Sequence, residues 1–191
     1  LSFKISLADE IPVIVISPGK TLQSIGTVGS DVSVITEKDI KSSSKFFLSD
    51  VVSDNVVGTH FSRQGGTGTN SLFQVRGLPK RYTNVYIDGV KMSDPSTPDN
   101  SFYFNNLTLN GVKQIEVLKG NQSSLYGSGA IGGAINIYTK TSDSDTLNKN
   151  FNIFTGSNNL KNVSLSFDQK VDNFDYYIGF NKYITDGISA M

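Results

Sequence analysis

Sixteen residues, LYGSGAIGGAINIYTK from Leu125 to Lys140, constrain the fold more than any other part of this 191-residue chain. Gly127, Gly129 and Gly132 formally match the G-x-G-x-x-G fingerprint of a dinucleotide-binding loop. That chemistry needs a strand directly before the first glycine and a helix directly after the last. Here NQSSLY separates the strand-like IEVLKG from Gly127. After Gly133, Ile135, Ile137 and Thr139 alternate with Asn136, Tyr138 and Lys140. A period of two is a strand, not a helix. No acidic residue closes a following strand, and no G-K-[ST] is present for a P-loop. The glycines therefore serve tight turns and close backbone approach, and the corner leads into β structure.

The rest of the chain agrees with a β-rich fold. Asn, Ser, Thr and Gly are plentiful, which suits strands and turns better than long helices. There are 17 basic and 17 acidic side chains, so net charge points to no nucleic-acid partner. No Cys is present, which excludes disulfides, zinc thiolates and Cys nucleophiles. The single histidine, His60, reads as a polar strand or loop residue, with no nucleophile at a recognisable spacing and no G-x-S-x-G. Asp94 and Asp99 read as solvated loop acids outside any calcium-loop pattern. No metal site, cofactor or catalytic group is expected. No apolar run is long enough for a membrane helix, but the strands of a membrane barrel alternate and leave little hydropathy signal.

Along the chain, residues 1–8 (LSFKISLA) end in a small-x-small pattern and read either as the remnant of a signal peptide or as an ordinary N-terminus. The segment EIPVIVIS, Glu10 to Ser17, is a short β-branched run with Pro12 near its start. It suits either a first edge strand or pairing with the sheet edge of another chain. VGSDVSVIT reads as a strand. Thr36 then looks like an N-cap for a helix to about Ser42, and a second helix is expected from near Ser44, with Leu48, Val51 and Val52 on one apolar face. A glycine-rich loop spans 63–71, and LFQVRGL, TNVYIDGVKM and GVKQIEVLKG are strand candidates. This order predicts a small α+β domain over residues 21–140.

Residues 141–150 are polar and aperiodic and read as a linker. Beyond them, Ile153, Val163, Leu165, Phe167, Tyr176, Ile178 and Phe180 take part in three runs of alternating apolar and polar residues, with turns at Gly156–Asn159 and at Asp172–Asn173. Their length and period fit membrane-barrel strands or a soluble meander with one wet face. With a strand-like segment just before its last residue, the chain reads as a fragment cut at both ends.

VRGL (Val75–Leu78), NVYIDGVKM (Asn84–Met92) and VKQIEVLKGNQSSLYGSGAIGGAINIYTK (Val112–Lys140) together resemble the plug domain of TonB-dependent outer-membrane receptors, nearest to the vitamin B12 receptor type. The likeness covers about Ile11 to Lys140. One departure is Asn121, where the family usually has Pro. The resemblance implies that residues 151–191 are the first strands of a barrel of about 22 strands, truncated here, whose lumen needs a plug. It implies a Gram-negative outer-membrane location and energy-coupled uptake of a scarce nutrient, a vitamin B12-like corrinoid or a ferric siderophore. A soluble plug-like binding or signalling module is the alternative.

The resemblance also implies site residues. Residues 9–20 hold the TonB box, with Ile11, Pro12, Val13, Ile14, Val15 and Ile16 pairing by strand addition with a periplasmic energy-coupling protein. The apical loops would contact a small-molecule ligand through Pro79, Lys80, Arg81, Tyr82, Ser93, Asp94, Tyr103 and Phe104, since Arg and aromatic side chains commonly anchor binding sites. Arg76, Glu116 and Lys119 would form ion pairs with the barrel wall, outside this chain. The remaining partner is outer-membrane lipid, met through the barrel.

Overall fold

Local signals place most elements of the computed structural model, which describes residues 13–66, 69–104, 107–142 and 144–187. Strand β1 (Ile14–Val15) pairs antiparallel with β2 (Gln23–Ser24). β3 (Asp31–Ile35) leads to Thr36, which caps α1 (Glu37–Ser42). The Asp39 N–H donates to Thr36 Oγ1 at 3.4 Å and the Thr36 N–H donates to Asp39 Oδ2 at 2.8 Å, satisfying two otherwise orphan donors. Helix α2 (Leu48–Asn55) starts later than the expected Ser44. The reason is tertiary. Leu109 N–H donates to Phe46 O at 3.0 Å and Leu48 N–H to Leu107 O at 2.9 Å, so extended pairing around the Phe47–Thr108 bridge holds Phe46 and Phe47 out of the helix. Leu48, Val51 and Val52 are buried as the helical spacing requires.

β4 (Thr59–Arg63) and β5 (Ser71–Val75) form an antiparallel hairpin. β6 (Thr83–Ile87) and β7 (Val90–Met92) follow. The stretch TNVYIDGVKM is thus two strands rather than one. Asp88 and Gly89 both have positive φ, 46° and 81°, which is the geometry of a two-residue hairpin turn. β8 (Val112–Lys119), the short helix α3 (Ser123–Tyr126) and β9 (Gly133–Thr139) complete the mixed sheet, ordered β3-β8-β9-β6-β7, in which only β6 and β9 are parallel.

Alternation gives this sheet two unlike faces. On one, Ile35, Val85, Ile115, Val117, Ile135 and Ile137 pack against α1, α2 and Phe73 in the main core. Each such side chain contributes about 1.5–3 kcal/mol on burial. On the other, Leu118, Ala130, Ala134 and Tyr126 form a smaller cluster, and fully buried Glu116 lies on the same side of β8 as Leu118. The strand expected after Gly133 is β9, which pairs antiparallel with β8 and parallel with β6. A Cβ at Gly133 would run into the carbonyl oxygen of Leu118, so the glycine is demanded by backbone approach.

β10 (Asn148–Thr155), β11 (Lys161–Val171) and β12 (Phe174–Ile184) form a separate antiparallel meander. β10 begins inside the stretch read as a linker, because Asn148, Lys149 and Asn150 pair with Asp168, Phe167 and Ser166. The registers put Phe151 opposite Leu165 and Leu165 opposite Phe180, so Phe151, Ile153, Val163, Phe174, Ile178 and Phe180 share one outward, exposed face. The other face meets the α+β domain. Tyr177 donates to Asn110 Oδ1 at 2.9 Å, and Phe154 packs edge-on against Phe46 with centroids 4.7 Å apart.

The three charges expected to pair with the barrel wall have partners inside the domain as well. Arg76 Nη2 lies 2.9 Å from Asp31 Oδ2, and Lys119 Nζ lies 3.0 Å from Asp31 Oδ1. Arg76 sits in the left-handed region (φ 53°), just ahead of Gly77, and this turn aims its guanidinium at the start of β3. Glu116 accepts hydrogen bonds from backbone amides of the N-terminal segment, described below. The Asp31 carboxyl is held below its ordinary value of 3.8, chiefly by the hydrogen bond from Lys119, with burial opposing and Arg76 adding to the effect.

Gly133→Ala is expected to lower the denaturation midpoint by an amount equivalent to about 1–3 kcal/mol, the usual range for overpacking. Gly66→Ala, where an added Cβ meets nothing within 4 Å, is the control, and equal midpoints for the two would contradict the backbone argument. Asp31→Asn carries a pH signature. A depressed carboxyl stabilises the fold above its ordinary value and loses that stabilisation as pH falls through the folded value. Thermal melts should show the variant less stable than the parent at pH 7 and the difference vanishing below about pH 3. A difference that persists there would remove the ion pairs as its cause.

Candidate functional site

Two regions carry the residues singled out from sequence, and they lie toward opposite ends of the parallel pair β6 and β9. The first is the N-terminal segment. Ile11 and Pro12 lie outside the described residues; Val13 to Ser17 are described. Ile14 is 43% exposed while Val15 and Ser17 are buried. The Ile25 N–H donates to Val13 O at 2.9 Å, and the register continues with Val15 opposite Gln23. Alternation turns the backbone groups of Ile14 and Ile16 away from β2. They meet side chains of β8 instead. Gln114 Nε2 donates to Ile14 O at 3.0 Å, and the Ile16 N–H donates to Glu116 Oε1 at 3.0 Å and Oε2 at 3.2 Å. The Ser17 N–H donates to Glu116 Oε2 at 2.7 Å.

Two phenols complete this grip. Tyr126 OH donates to Ser17 O at 2.6 Å, and Tyr138 OH lies 3.2 Å from Ser17 Oγ. Burial pushes the Tyr138 hydroxyl up to about 12, so it stays protonated throughout the physiological range. Burial is also the main cause of the upward shift at Tyr126. A buried carboxylate left unbonded would be costly. Here four hydrogen bonds satisfy it, the fourth from Gln114 Nε2 at 2.7 Å.

The second region is a cleft of about 920 Å³ where β6 begins and β7 ends. Arg81, Tyr82 and Ser93 line it, together with Lys91, Asp99 and Phe102. The Arg81 guanidinium stacks over the Tyr82 ring at 4.8 Å. The buried hydroxyls of Thr83 and Ser101 also belong to residues lining the cleft, and neither has a hydrogen-bond partner among the described residues. Such groups favour a polar occupant. The size is that of a small-molecule site.

Other apical residues shape the loops instead. Lys80 Nζ donates to Tyr103 OH at 2.6 Å and lies 3.6 Å from Asp99, tying 80 to 99–103. Pro79 O accepts from the Tyr82 N–H at 2.9 Å and closes the turn before β6. Asp94 Oδ1 accepts from the Ser96 N–H at 2.9 Å and from its hydroxyl at 2.6 Å, an Asx turn. Phe104 corrects the expectation outright. At 2% exposure it belongs to the main core, between Phe73 and Phe102, because an aromatic ring at the foot of the loop gains more from burial than from solvent.

Several residues of these regions went unread in the sequence: Asp31, Gln114, Tyr126, Tyr138, Thr83 and Ser101. Gln114 alone carried a legible signal. It stands two residues from Glu116 on a strand, hence on the same face, opposite the apolar Ile115 and Val117.

Comparison with known proteins accords with this architecture. The family model for the TonB-dependent receptor plug domain matches residues 24–134. The vitamin B12 transporter BtuB of Vibrio cholerae is 32% identical over 127 residues, 66% of this chain and 20% of that protein. The BtuB of Vibrio vulnificus is 29% identical over 131 residues, 69% of this chain and 21% of that protein. The chain thus spans about a fifth of the length of the curated relatives it matches. Among solved structures, the siderophore receptor PiuA of Acinetobacter baumannii superposes with a TM-score of 0.68 at 23% identity, covering 84% of this chain and 22% of that one. The ferripyoverdine receptor of Pseudomonas aeruginosa gives 0.69 at 17% identity, covering 85% and 21%. With most of its mixed sheet inside the matched span and its glycine corner leading into a strand, the chain belongs to the family of TonB-dependent receptor plug domains.

Proposed function

We propose that this chain is the plug and first barrel strands of an outer-membrane receptor of a Gram-negative bacterium that takes up a vitamin B12-like corrinoid by energy-coupled transport. The observation that carries the reading is the disposition of the two regions. The cleft sits where β6 and β9 begin, and the N-terminal segment is gripped beside Gln114 and Tyr138, near the far end of β9. A ligand at one end and a pull at the other would act on the same pair of strands. No bond in the ligand is made or broken, so the proposal needs no catalytic group. A periplasmic energy-coupling protein of the TonB type would engage Ile11 to Ile16 by adding a strand to its own sheet. The exposed apolar face of β10–β12 suits lipid and its polar face suits a lumen, as barrel strands require. That two-sidedness also argues against a soluble binding or signalling module.

The corrinoid class is favoured because the relatives in sequence are named vitamin B12 transporters. A ferric siderophore is the second class, supported by the likeness of fold to siderophore receptors.

In the full-length receptor, deleting residues 9–17 is expected to leave cyanocobalamin binding intact and to abolish cyanocobalamin uptake. Normal uptake after the deletion would defeat the coupling role. Arg81→Ala and Tyr82→Ala are each expected to weaken cyanocobalamin binding by about tenfold or more, as anchor residues do. If cyanocobalamin fails to bind while a ferric siderophore binds and responds to the same two variants, the ligand belongs to the second class.

A further inference from the structure

From the hydrogen bonds between β8 and the N-terminal segment, we infer that Gln114 and Glu116 act as a surrogate strand, capping the edge by which residues 14–16 would pair with another sheet. This rests on the coupling role proposed above for that segment. A strand offers pairing groups on two edges. One edge of residues 13–15 is taken by β2. The outward edge presents the Ile14 carbonyl and the Ile16 amide, and an incoming strand would need an N–H for the first and a C=O for the second. The side chains of β8 supply both. The carboxamide of Gln114 stands in for the N–H at 3.0 Å, and the carboxylate of Glu116 stands in for the C=O at 3.0 Å.

The substitutes are built as a unit. Gln114 and Glu116 are two residues apart on one strand face, and Gln114 Nε2 also donates to Glu116 Oε1 at 2.7 Å, which fixes the amide orientation that puts its N–H toward Ile14. β8 carries a register shift between Val112 and Gln114 that enters this pair directly from a bulge, a device that commonly re-aims a side chain. Glu116 then extends its grip one residue beyond the strand, to the Ser17 amide. Val15, fully buried beneath the segment, leaves with it. Strand addition and the clasp use the same carbonyl and the same amide, so a partner strand on that edge and the Gln114–Glu116 pair exclude one another. The clasp therefore sets how readily the segment is offered, and it does so through side chains that touch neither the ligand cleft nor the partner.

The test uses the full-length receptor and its Gln114→Ala and Glu116→Gln variants. Hydrogen exchange in a peptide spanning residues 13–20 should quicken by about ten- to a hundredfold in both, the loss expected when a charge-assisted or edge hydrogen bond is removed, with exchange elsewhere in the plug unchanged. The isolated periplasmic domain of a coupling protein should then bind the ligand-free variants more tightly than the parent. Unchanged exchange at residues 13–20 in both variants overturns the inference. So does faster exchange spread evenly over the plug, and so does faster local exchange with binding of the coupling domain equal to the parent's. Should Glu116→Gln fail to fold, Gln114→Ala, at the partly exposed end of the pair, carries the test alone. Faster local exchange combined with no binding by parent or variants defeats the coupling role itself while upholding the clasp as a feature of the fold.

Discussion

A carboxylate buried in the middle of a sheet has to be satisfied, and the architecture on one side of this plug follows from how Glu116 is. β8 runs between β3 and β9 and is covered on both faces. Ile115 and Val117 face the helices, where apolar contact is all that is needed. Glu116 faces the other way, and no Lys or Arg among the described residues reaches it. Its acceptors are filled by the amides of Ile16 and Ser17 and by Gln114. The chain's N-terminal segment is thereby drawn across a sheet face that would otherwise be left with an unpaired charge. An ion pair in the same place would have locked the site to a side chain. Backbone amides instead lock it to a segment, and a segment can leave.

The second organising contact is the close approach of Gly133 to Leu118. It lets β9 enter the sheet directly from the glycine corner, and it sets where β6 and β9 begin. The cleft lined by Arg81, Tyr82 and Ser93 lies just there. Loops above the sheet are held by short local contacts, such as Lys80 with Tyr103 and Asp94 with Ser96, and by one deep anchor, Phe104. The cleft thus stands on rigid strands while its rim is made of loops, the usual division of labour in binding proteins. The meander β10–β12 faces the plug with its polar and aromatic side and turns its apolar side outward.

Where local chemistry decided the outcome, the sequence was a sufficient guide. The alternation of Ile135, Ile137 and Thr139 predicted β9 and ruled out a nucleotide loop. Thr36 predicted the start of α1, and Leu48, Val51 and Val52 the buried face of α2. Where a long-range contact decided, it was not. Phe46 and Phe47 are extended because the segment from Leu107 to Leu109, some sixty positions away in the chain, pairs alongside them. Phe104 is core because Phe73 and Phe102 surround it. The Asp88–Gly89 break was legible as a turn signal, since both positions need positive φ, but the apolar run around it reads as one strand.

Charge shows the same division most sharply. A residue's type states what must be compensated, and only the fold states by what. The family resemblance marked Arg76, Glu116 and Lys119 as charges that need partners. The partners turned out to be Asp31 for the two cations and backbone amides for the anion. By itself the sequence determined the β-rich architecture and the existence of an extended segment ahead of the plug, because periodicity and turn chemistry are local properties; the family came from the likeness of its motifs. Only tertiary structure decided that this segment lies clasped by Gln114 and Glu116, because hydrogen bonds between groups a hundred residues apart leave no trace in either stretch read alone.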